Sequence, residues 1–214
     1  MPKTPISIDP DPYKNCSIDE NSVDIDPFHQ FSIWFKDAVD SGVFEPEAMF
    51  LATASEKGIP SGRIVLLKGF NPRGFVFFTN YNSRKGTEIT MNPFVAIAFH
   101  WKEMGRQVRI TGKAQKISGA ESDEYFFSRP LESRISALIS SQSAVIPGRN
   151  FLEEKFDDMK RRITGQEPKR PENWGGFRII PVGFEFWQSR PHRLHDRIQY
   201  RLVKENWIIE RLSP

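Results

Sequence analysis

Residues 48–80 read AMFLATASEKGIPSGRIVLLKGFNPRGFVFFTN, and this stretch decides the fold class. Three short apolar runs, AMFLATAS, SGRIVLLKGF and GFVFFTN, are separated by EKGIP and NPRG. The Gly, Pro and Asn residues of the separating segments are typical of turns. The pattern therefore predicts β-strands joined by hairpins.

Helices and further strands flank this stretch on both sides. Asp26 and Pro27 are typical of a helix start, and apolar residues at helical spacing, from Phe28 to Val39, continue until Gly42. Further helices are expected near 83–91, at 119–141 with a break at Pro130, and at 151–163. Strands are expected in PFVAIAFHW, RQVRITGKAQKI, GGFRIIPVGFEFWQ, RLHDRIQYRL and NWIIERL. Without βαβ alternation, this order predicts an α+β protein built on an antiparallel barrel.

The composition limits the organisation and the partners. The 214 residues, 38% hydrophobic and 27% charged, fit one folded domain over residues 26–214, after a Pro-rich segment 1–25 expected to be a mobile arm. The 30 basic and 27 acidic residues nearly cancel, so nucleic-acid binding is not expected. The single Cys16 excludes an internal disulfide, and no signal peptide or membrane span is recognised. We therefore expect a cytoplasmic protein.

Arg63 and Lys68 flank the apolar run Ile64 to Leu67. On a regular strand, positions five apart lie on opposite faces. Both cations can therefore reach one ligand only if the strand is irregular or the ligand wraps an edge. A buried strand with charged ends is an equally valid interpretation of this segment.

Arg84 and Lys85 follow the helix-capping residues Asn82 and Ser83. Positive charge in the first turn of a helix is unfavourable to the helix dipole by about 0.3–1 kcal/mol per charge, whereas a bound phosphate would reverse this effect. The pair favours a phosphate site over simple surface charge.

A second anion site is indicated by Tyr125, Arg129 and Ser133. These residues recur at intervals of four, which on helical turns aligns a phenol, a guanidinium and a hydroxyl. The spacing is common by chance, so the pattern alone is a weak signal.

The segment RLHDR, residues 193–197, concentrates basic groups. If it is a strand, Arg193, His195 and Arg197 share one face, which favours an anion or an electron-rich ring over them. A solvated edge strand is the alternative. Trp187 and Gln188 just before it suggest an aromatic wall with an amide, suited to a flat heterocycle.

Metal and nucleophile sites are not indicated. The four histidines, at positions 29, 100, 192 and 195, lack clustered ligand spacing, and no Gly-x-Ser-x-Gly elbow or P-loop is present. An enzyme of this sequence is therefore expected to use an organic cofactor.

Longer strings carry a family resemblance. SGRIVLLKGF, GFVFFTNYNSRKG, NPFVAIAFHW, RQVRITGKA, YFFSRPLESRI, SSQSAVI, NWGGFRIIP, FEFWQ, HRLHDR and NWIIERLSP occur in order from about residue 26 to the end. In this combination they are similar to the pyridoxamine 5'-phosphate oxidase family. The resemblance implies a split β-barrel, a homodimer with two FMN sites at the subunit interface, and oxidation of a small phosphorylated pyridine by O₂ with release of hydrogen peroxide.

The resemblance also assigns site residues. The implied FMN contacts are Arg63, Ile64, Val65, Leu66, Leu67, Lys68, Phe78, Thr79, Arg84, Lys85, Gln107, Gln142, Ser143, Trp187 and Arg197. The implied substrate-phosphate contacts are Lys68, Tyr125, Arg129 and Ser133, and Arg193 and His195 lie over the pyridine ring. Arg193, His195 and Arg197 are the residues expected to take part in catalysis.

The sequence departs from the family pattern at two places. Phe78 stands where the family usually has a Tyr, so one hydroxyl contact to FMN is expected to be lost while the ring still packs. The arm offers only Tyr13 and Lys14 in place of a basic pair followed by Tyr, and this departure keeps other functions open. One alternative is a flavin oxidase of the same fold that acts on another aromatic, of the phenazine-biosynthesis type. The other is a non-catalytic protein that binds flavin or pyridoxal phosphate.

Overall fold

The computed structural model describes residue 13, residues 16–163 and residues 167–214. The α-helices of this part of the chain are α1 (Pro27–Asp40), α2 (Arg84–Met91), α3 (Gly119–Ser128), α4 (Leu131–Ile139) and α5 (Arg149–Arg162). Its strands are β1 (Ala48–Ala54), β2 (Pro60–Leu66), β3 (Gly69–Asn71), β4 (Gly74–Asn80), β5 (Phe94–Trp101), β6 (Arg106–Lys116), β7 (Trp174–Gln188), β8 (Asp196–Val203) and β9 (Asn206–Arg211).

The strands form one antiparallel sheet, so the predicted α+β split-barrel class is confirmed. The strand order is β2-β1-β5-β6-β7-β4-β3, and β8 pairs with both β7 and β9. Phe75 of β4 lies opposite Ile179 of β7, and Phe186 of β7 lies opposite Ile198 of β8. Inserted helices connect the strands, as the order of sequence patterns predicts.

The described residues divide into two compact units. The terminal unit comprises the described residues of Met1–Met49 together with Ile97–Thr111 and Val182–Pro214, and the central unit comprises Phe50–Ala96 and the described residues of Gly112–Pro181. Each unit contains its own buried apolar side chains.

In the terminal unit, α1 begins as predicted. The Asp26 side chain accepts a hydrogen bond from the Phe28 amide at 2.9 Å, and Pro27 follows as the first helical residue. The Trp34 ring of this helix packs edge-on against Phe186, with 5.2 Å between ring centroids. The predicted apolar face is wrong at one end, because Val39 is 51% exposed.

The predicted arm, residues 1–25, falls partly outside the described residues. Where the structure describes it, the Ile18 amide donates to the Asp196 carboxylate at 3.3 Å, and the Tyr200 hydroxyl donates to the Asp24 carbonyl at 2.6 Å. These contacts join residues 18–24 to β8 within the terminal unit. The boundary between arm and domain at residue 25 stays a prediction.

In the central unit, turn chemistry agrees with the sequence. Gly74 begins β4 with a φ of +128°, and a Cβ atom there would lie 2.1 Å from the Ile179 carbonyl oxygen, so only glycine fits. The helical region breaks at Pro130, as predicted, because α3 ends at Ser128 and α4 begins at Leu131. None of the helices in the described part of the chain is long and apolar enough to cross a membrane.

Candidate active site

A cavity of about 620 Å³ lies in the central unit. Twelve of the predicted site residues are on its wall: Arg63, Ile64, Val65, Leu66, Lys68, Phe78, Thr79, Lys85, Tyr125, Arg129, Ser133 and Gln142. The structure therefore brings together residues from two strands, three helices and three connecting segments. Leu67 is not on the wall, since its side chain is buried.

The interruption of a strand explains how Arg63 and Lys68 reach the same cavity. Strand β2 ends at Leu66 and β3 begins at Gly69, so Lys68 lies in the gap, where its amide donates to the Val76 carbonyl at 2.8 Å. The strict alternation of a strand ends before Lys68. The irregular strand that the sequence required is therefore present.

Lys85 supplies a buried positive charge to the cavity wall. Its ammonium donates to the Thr79 hydroxyl at 3.3 Å and to the Gln142 side-chain oxygen at 3.0 Å. Burial, and then the charge of Arg63, lower the pKa of Lys85. No carboxylate of the described residues pairs with this ammonium, so neutral oxygens and an excess of positive charge favour an anion here.

Arg84 and Ser143 lie on a neighbouring cavity of about 560 Å³ in the same unit. Ser83 caps α2, so both predicted cations occupy its first turn, but Arg84 faces this second cavity whereas Lys85 faces the first. The Arg84 amide donates to the Ser143 hydroxyl at 3.2 Å. Gln142 is on the walls of both cavities.

An aromatic stack forms another side of the larger cavity. The Phe78 ring stacks on Tyr125 with 3.8 Å between centroids and on Trp174 with 5.5 Å. Arg129 lies over the Trp174 ring at 4.7 Å, and its Nη1 atom is buried without a hydrogen-bond partner among the described residues. Burial lowers the pKa of Arg129 and raises that of Tyr125.

The unpartnered Arg129 nitrogen tests whether the residues fit a phosphate. A buried guanidinium nitrogen without an acceptor is unfavourable unless a ligand supplies one. Ser133, at the start of α4, adds a hydroxyl to the same wall. The donor set therefore fits two anionic groups, one near Lys85 and one near Arg129, in a cavity that also has flat aromatic surface on its wall.

The other predicted site residues, Gln107, Trp187, Arg193, His195 and Arg197, belong to the terminal unit. His195 lies against Trp187, with 4.6 Å between ring centroids, and its Nδ1 accepts a hydrogen bond from the Arg190 amide at 3.1 Å. Arg197 donates from Nε to Glu185 at 2.8 Å. Gln107 lies half-buried on β6.

The prediction that residues 193–197 form one strand is wrong. Strand β8 begins only at Asp196, and Pro191–Arg193 form a short 3₁₀ turn. His192 and Arg193 have φ values of +59° and +61°, which no strand residue adopts. Arg193, His195 and Arg197 therefore do not share a strand face, because alternation does not extend through left-handed backbone.

The ligand role inferred for Gln188 is also wrong. Its side chain is buried and donates to the carbonyls of Met104 and Gly105, each at 3.2 Å, while its oxygen accepts from Arg106 at 3.1 Å. All of these partners are within the terminal unit. The amide is therefore occupied by structural hydrogen bonds.

Two residues of the site region were missed by the sequence reasoning. Trp174 stacks on Phe78 and lies under Arg129, but the sequence indicates it only as part of the family string NWGGFRIIP. Glu88 is a buried carboxylate beside Arg63 and Arg84, and its position one helical turn after Arg84 was the available signal. Among the described residues, no group of three or more His, Cys, Asp or Glu could hold a metal ion.

Comparisons with known proteins agree with this arrangement. Residues 35–162 match the family model described as pyridoxamine 5'-phosphate oxidase. Residues 174–214 match a second model, described as the pyridoxine 5'-phosphate oxidase C-terminal dimerisation region. The chain is 50% identical to a pyridoxine/pyridoxamine 5'-phosphate oxidase of Cyanothece sp., covering 94% of this chain and 95% of that protein. A relative of the same name in Burkholderia mallei is 51% identical, with 94% and 95% covered.

Solved structures show the same fold. PhzG from Burkholderia lata, solved with tetrahydrophenazine-1-carboxylic acid, superimposes with a TM-score of 0.89 at 29% identity, covering 94% of this chain and 99% of that one. An FMN-binding protein from Nostoc punctiforme gives a TM-score of 0.70 at 17% identity, with 90% and 100% covered, and supports the fold alone.

The fold and the family match together define an oxidase of the split-barrel class. More narrowly, the chain belongs to the pyridoxine/pyridoxamine 5'-phosphate oxidase family. It is an enzyme of that family, and the interpretation as a non-catalytic carrier is therefore set aside.

Proposed function

We propose that the protein oxidises pyridoxine 5'-phosphate and pyridoxamine 5'-phosphate to pyridoxal 5'-phosphate with FMN and O₂. The alcohol substrate and O₂ would give the aldehyde and hydrogen peroxide. The amine substrate would also consume water and release ammonia. The proposal rests on the lining of the central cavity. This lining combines an aromatic stack with the Lys85 ammonium and the Arg129 Nη1 atom, which have no carboxylate partner and no hydrogen-bond partner, respectively, among the described residues.

The cofactor would be FMN, which when bound accepts a hydride from C4' of the substrate and passes the electrons to O₂. Lys85, Thr79 and Gln142 are already joined by hydrogen bonds and would hold its phosphate. Arg84 and Ser143, linked through the Arg84 amide, would supply further donors. These groups are in place before ligand binds, which limits the entropy lost on binding.

The substrate phosphate would be held by Lys68, Tyr125, Arg129 and Ser133. Arg129 carries the largest share, because a buried guanidinium makes charge-assisted hydrogen bonds to phosphate oxygens. Its contact with the Trp174 ring fixes the plane of the guanidinium. Fixed phosphate contacts would orient the pyridine ring and turn the reaction into an intramolecular step.

Residues of the terminal unit would contribute to proton transfer and charge stabilisation. His195 accepts a backbone hydrogen bond at Nδ1, which leaves Nε2 as the position for an exchangeable proton. Arg193 and His195 would orient the amine or hydroxyl group and ease its proton loss, and Arg197 would stabilise negative charge on the reduced ring. The proposed assembly is a homodimer with FMN at the subunit interface, supported by the match to a dimerisation region.

The absorbance spectrum of the purified protein tests this function. Yellow protein whose flavin absorbance bleaches on anaerobic addition of pyridoxine 5'-phosphate supports the proposal. Yellow protein that does not bleach with either phosphorylated pyridine would disprove the substrate class while keeping the flavin. Colourless protein that cannot be reconstituted with FMN would disprove the cofactor.

A second candidate is oxidation of a reduced phenazine precursor. The high structural similarity to PhzG favours it. Peroxide release measured in parallel with pyridoxine 5'-phosphate and with a dihydrophenazine carboxylate separates the two candidates. The phosphate-binding donors of the central cavity predict that the phosphorylated pyridine is the better substrate.

A further inference from the structure

A buried carboxylate in the central unit joins two arginines of the site region. Glu88 accepts hydrogen bonds at Oε2 from the hydroxyls of Thr53 and Ser61 and lies 3.4 Å from Arg63 Nη2. At Oε1 it accepts from Arg84 Nε at 2.9 Å. The Glu88 side chain is only 9% exposed. One carboxylate thus links strand β2 to the first turn of helix α2.

The charge of Glu88 is secure over the physiological range. Burial raises its pKa, but the hydrogen bonds from Ser61, Thr53 and Arg84 lower it further, to about 2. An ionised carboxylate with this many donors occupies one orientation, because rotating away would leave buried polar groups without partners.

The hydrogen bond to Glu88 leaves the outer nitrogens of the Arg84 guanidinium available to a ligand. Its Nε is bound to Glu88, while its two Nη atoms have no hydrogen-bond partner among the described residues. The Arg84 side chain is 62% exposed and faces the second cavity. A guanidinium held at Nε and open at its outer nitrogens presents a fixed pair of donors to an anion.

Arg63 is held from the opposite side of the same carboxylate. It donates from Nη2 to the Ser61 hydroxyl at 2.6 Å, and from Nη1 to the Thr53 hydroxyl and the Leu51 carbonyl. Its charge lies close enough to Lys85 to lower the pKa of that ammonium. Glu88 supplies the negative charge that balances Arg63 and Arg84.

The geometry points to Glu88 as a positioning residue that holds Arg84 and Arg63 in the orientation needed to bind the phosphate of the cofactor. This inference rests on the proposed function, which assigns both arginines to FMN. A positioning role for Glu88 and a simple charge effect predict opposite changes in FMN affinity when Glu88 is replaced. A negative charge near a phosphate repels it, so charge alone predicts that removing Glu88 tightens FMN binding, whereas loss of positioning weakens it.

Flavin titrations of the apoprotein separate these outcomes. Glu88→Gln should weaken FMN binding about tenfold, since charge-assisted contacts to the phosphate lose their alignment. Binding of riboflavin, which lacks the phosphate, should stay unchanged. A general structural defect would instead weaken both flavins together. FMN affinity equal to or tighter than wild type would overturn the inference.

Glu56→Gln is the matched control. Glu56 lies on the same cavity as Arg84 and Glu88 but makes none of the hydrogen bonds described for Glu88. The Glu56→Gln substitution removes the same charge without altering an arginine contact, so the preference for FMN over riboflavin should remain at the wild-type value. A loss of preference equal to that of Glu88→Gln would show that the effect does not depend on the arginine contacts of Glu88, and it would overturn the inference.

A second variant covers the case in which Glu88→Gln does not fold. Ser61→Ala removes one donor to Glu88 and one acceptor for Arg63 without changing any charge. It should lower the preference for FMN over riboflavin about threefold, and an unchanged preference would overturn the inference. Wild-type protein that binds neither flavin would instead overturn the proposed function itself, and the role of Glu88 with it.

Discussion

Two basic residues of the central cavity differ from two arginines of the terminal unit in how their charge is balanced. Lys85 and the Nη1 atom of Arg129 are buried in the central unit without a carboxylate partner among the described residues. In the terminal unit, Arg197 pairs with Glu185 at 2.8 Å and Arg106 pairs with Asp37 at 2.8 Å. A bound anion would stabilise a buried cation that has no carboxylate partner, whereas a paired cation gains less from it.

This difference in charge balance indicates which of the predicted site residues should have the larger effect when they are replaced. In the central unit, a phosphate at the proposed anion sites would relieve the electrostatic penalty of the unpaired positive charges. In the terminal unit, Arg197 would have to share its charge between Glu185 and a ligand. Substitutions in the central cavity should therefore have larger effects on binding than substitutions at Arg197 have on turnover.

The largest effect is expected at Arg129. Arg129→Met should lower kcat/KM for pyridoxine 5'-phosphate about a hundredfold, because the substrate phosphate loses its charge-assisted contacts. The flavin content should remain at the wild-type level. Steady-state peroxide assays and the absorbance of bound flavin measure the two quantities.

Arg134→Met is the matched control for Arg129. Arg134 also has a buried Nε without a partner among the described residues, but it pairs with Glu167 at 3.2 Å and is not on the cavity wall. Its replacement should leave KM unchanged. Equal losses in the two variants would show that buried arginines in this unit matter for folding rather than for substrate.

Lys85→Met should weaken FMN binding about thirtyfold, since the cofactor phosphate loses its buried counter-charge. Because the folded-state pKa of Lys85 is lowered, the unfolded chain binds more protons between that pKa and the ordinary lysine value. The stability of the apoprotein should therefore rise with pH in this alkaline window, while FMN affinity falls as the ammonium loses its proton.

Thermal unfolding and flavin fluorescence across alkaline pH test the Lys85 prediction. Both pH dependences should disappear in Lys85→Met. Lys116→Met, which removes an exposed positive charge of the same unit, should keep them. A wild-type pH profile in Lys85→Met would contradict the role of Lys85 as the buried phosphate ligand.

Arg197→Met should lower kcat about tenfold, through weaker stabilisation of negative charge on the reduced ring. Rapid anaerobic mixing with pyridoxine 5'-phosphate measures the rate of flavin bleaching. Arg109→Met removes the other arginine that pairs with Glu185, at 2.9 Å, and should leave the bleaching rate unchanged. Equal bleaching rates in Arg197→Met and wild type would show that Arg197 has only a structural role, as the ion-pair partner of Glu185.

The smallest effect is expected at Phe78, which stacks on Tyr125 at the cavity wall. Phe78→Tyr restores the hydroxyl usual in the family and should tighten FMN binding about threefold, the size of one modest hydrogen bond. Fluorescence titration of the apoprotein with FMN measures the change. Weaker binding would indicate that the stack has no room for a hydroxyl.

Most of the fold could be predicted from local signals. The Asp26 cap, the Pro130 break and the turn residues around Gly74 act on their immediate neighbours, so the pattern alone places α1, α3, α4 and β4. The segment 193–197 was mispredicted because alternating polar residues resemble a strand, while the left-handed backbone at His192 and Arg193 leaves no comparable signal in sequence.

The site was predictable only in part, for the same reason. The positions of Arg84 and Lys85 on the first turn of α2 follow from sequence, but the separation of their side chains onto neighbouring cavities depends on how α2 packs. The sequence suggests Gln188 as a ligand residue, but in the structure its amide donates hydrogen bonds to the backbone carbonyls of Met104 and Gly105.

The succession of strands and helices, the family and the chemical types at the site follow from the amino-acid sequence alone, because they depend on residues close together in the chain. Which charges are balanced depends on the folded chain. Glu88 meets Arg63 across 25 positions, and Arg197 meets Glu185 across 12, whereas Lys85 and Arg129 meet no described carboxylate. Charge balance depends on distance in space, and the chain order of the residues does not record that distance.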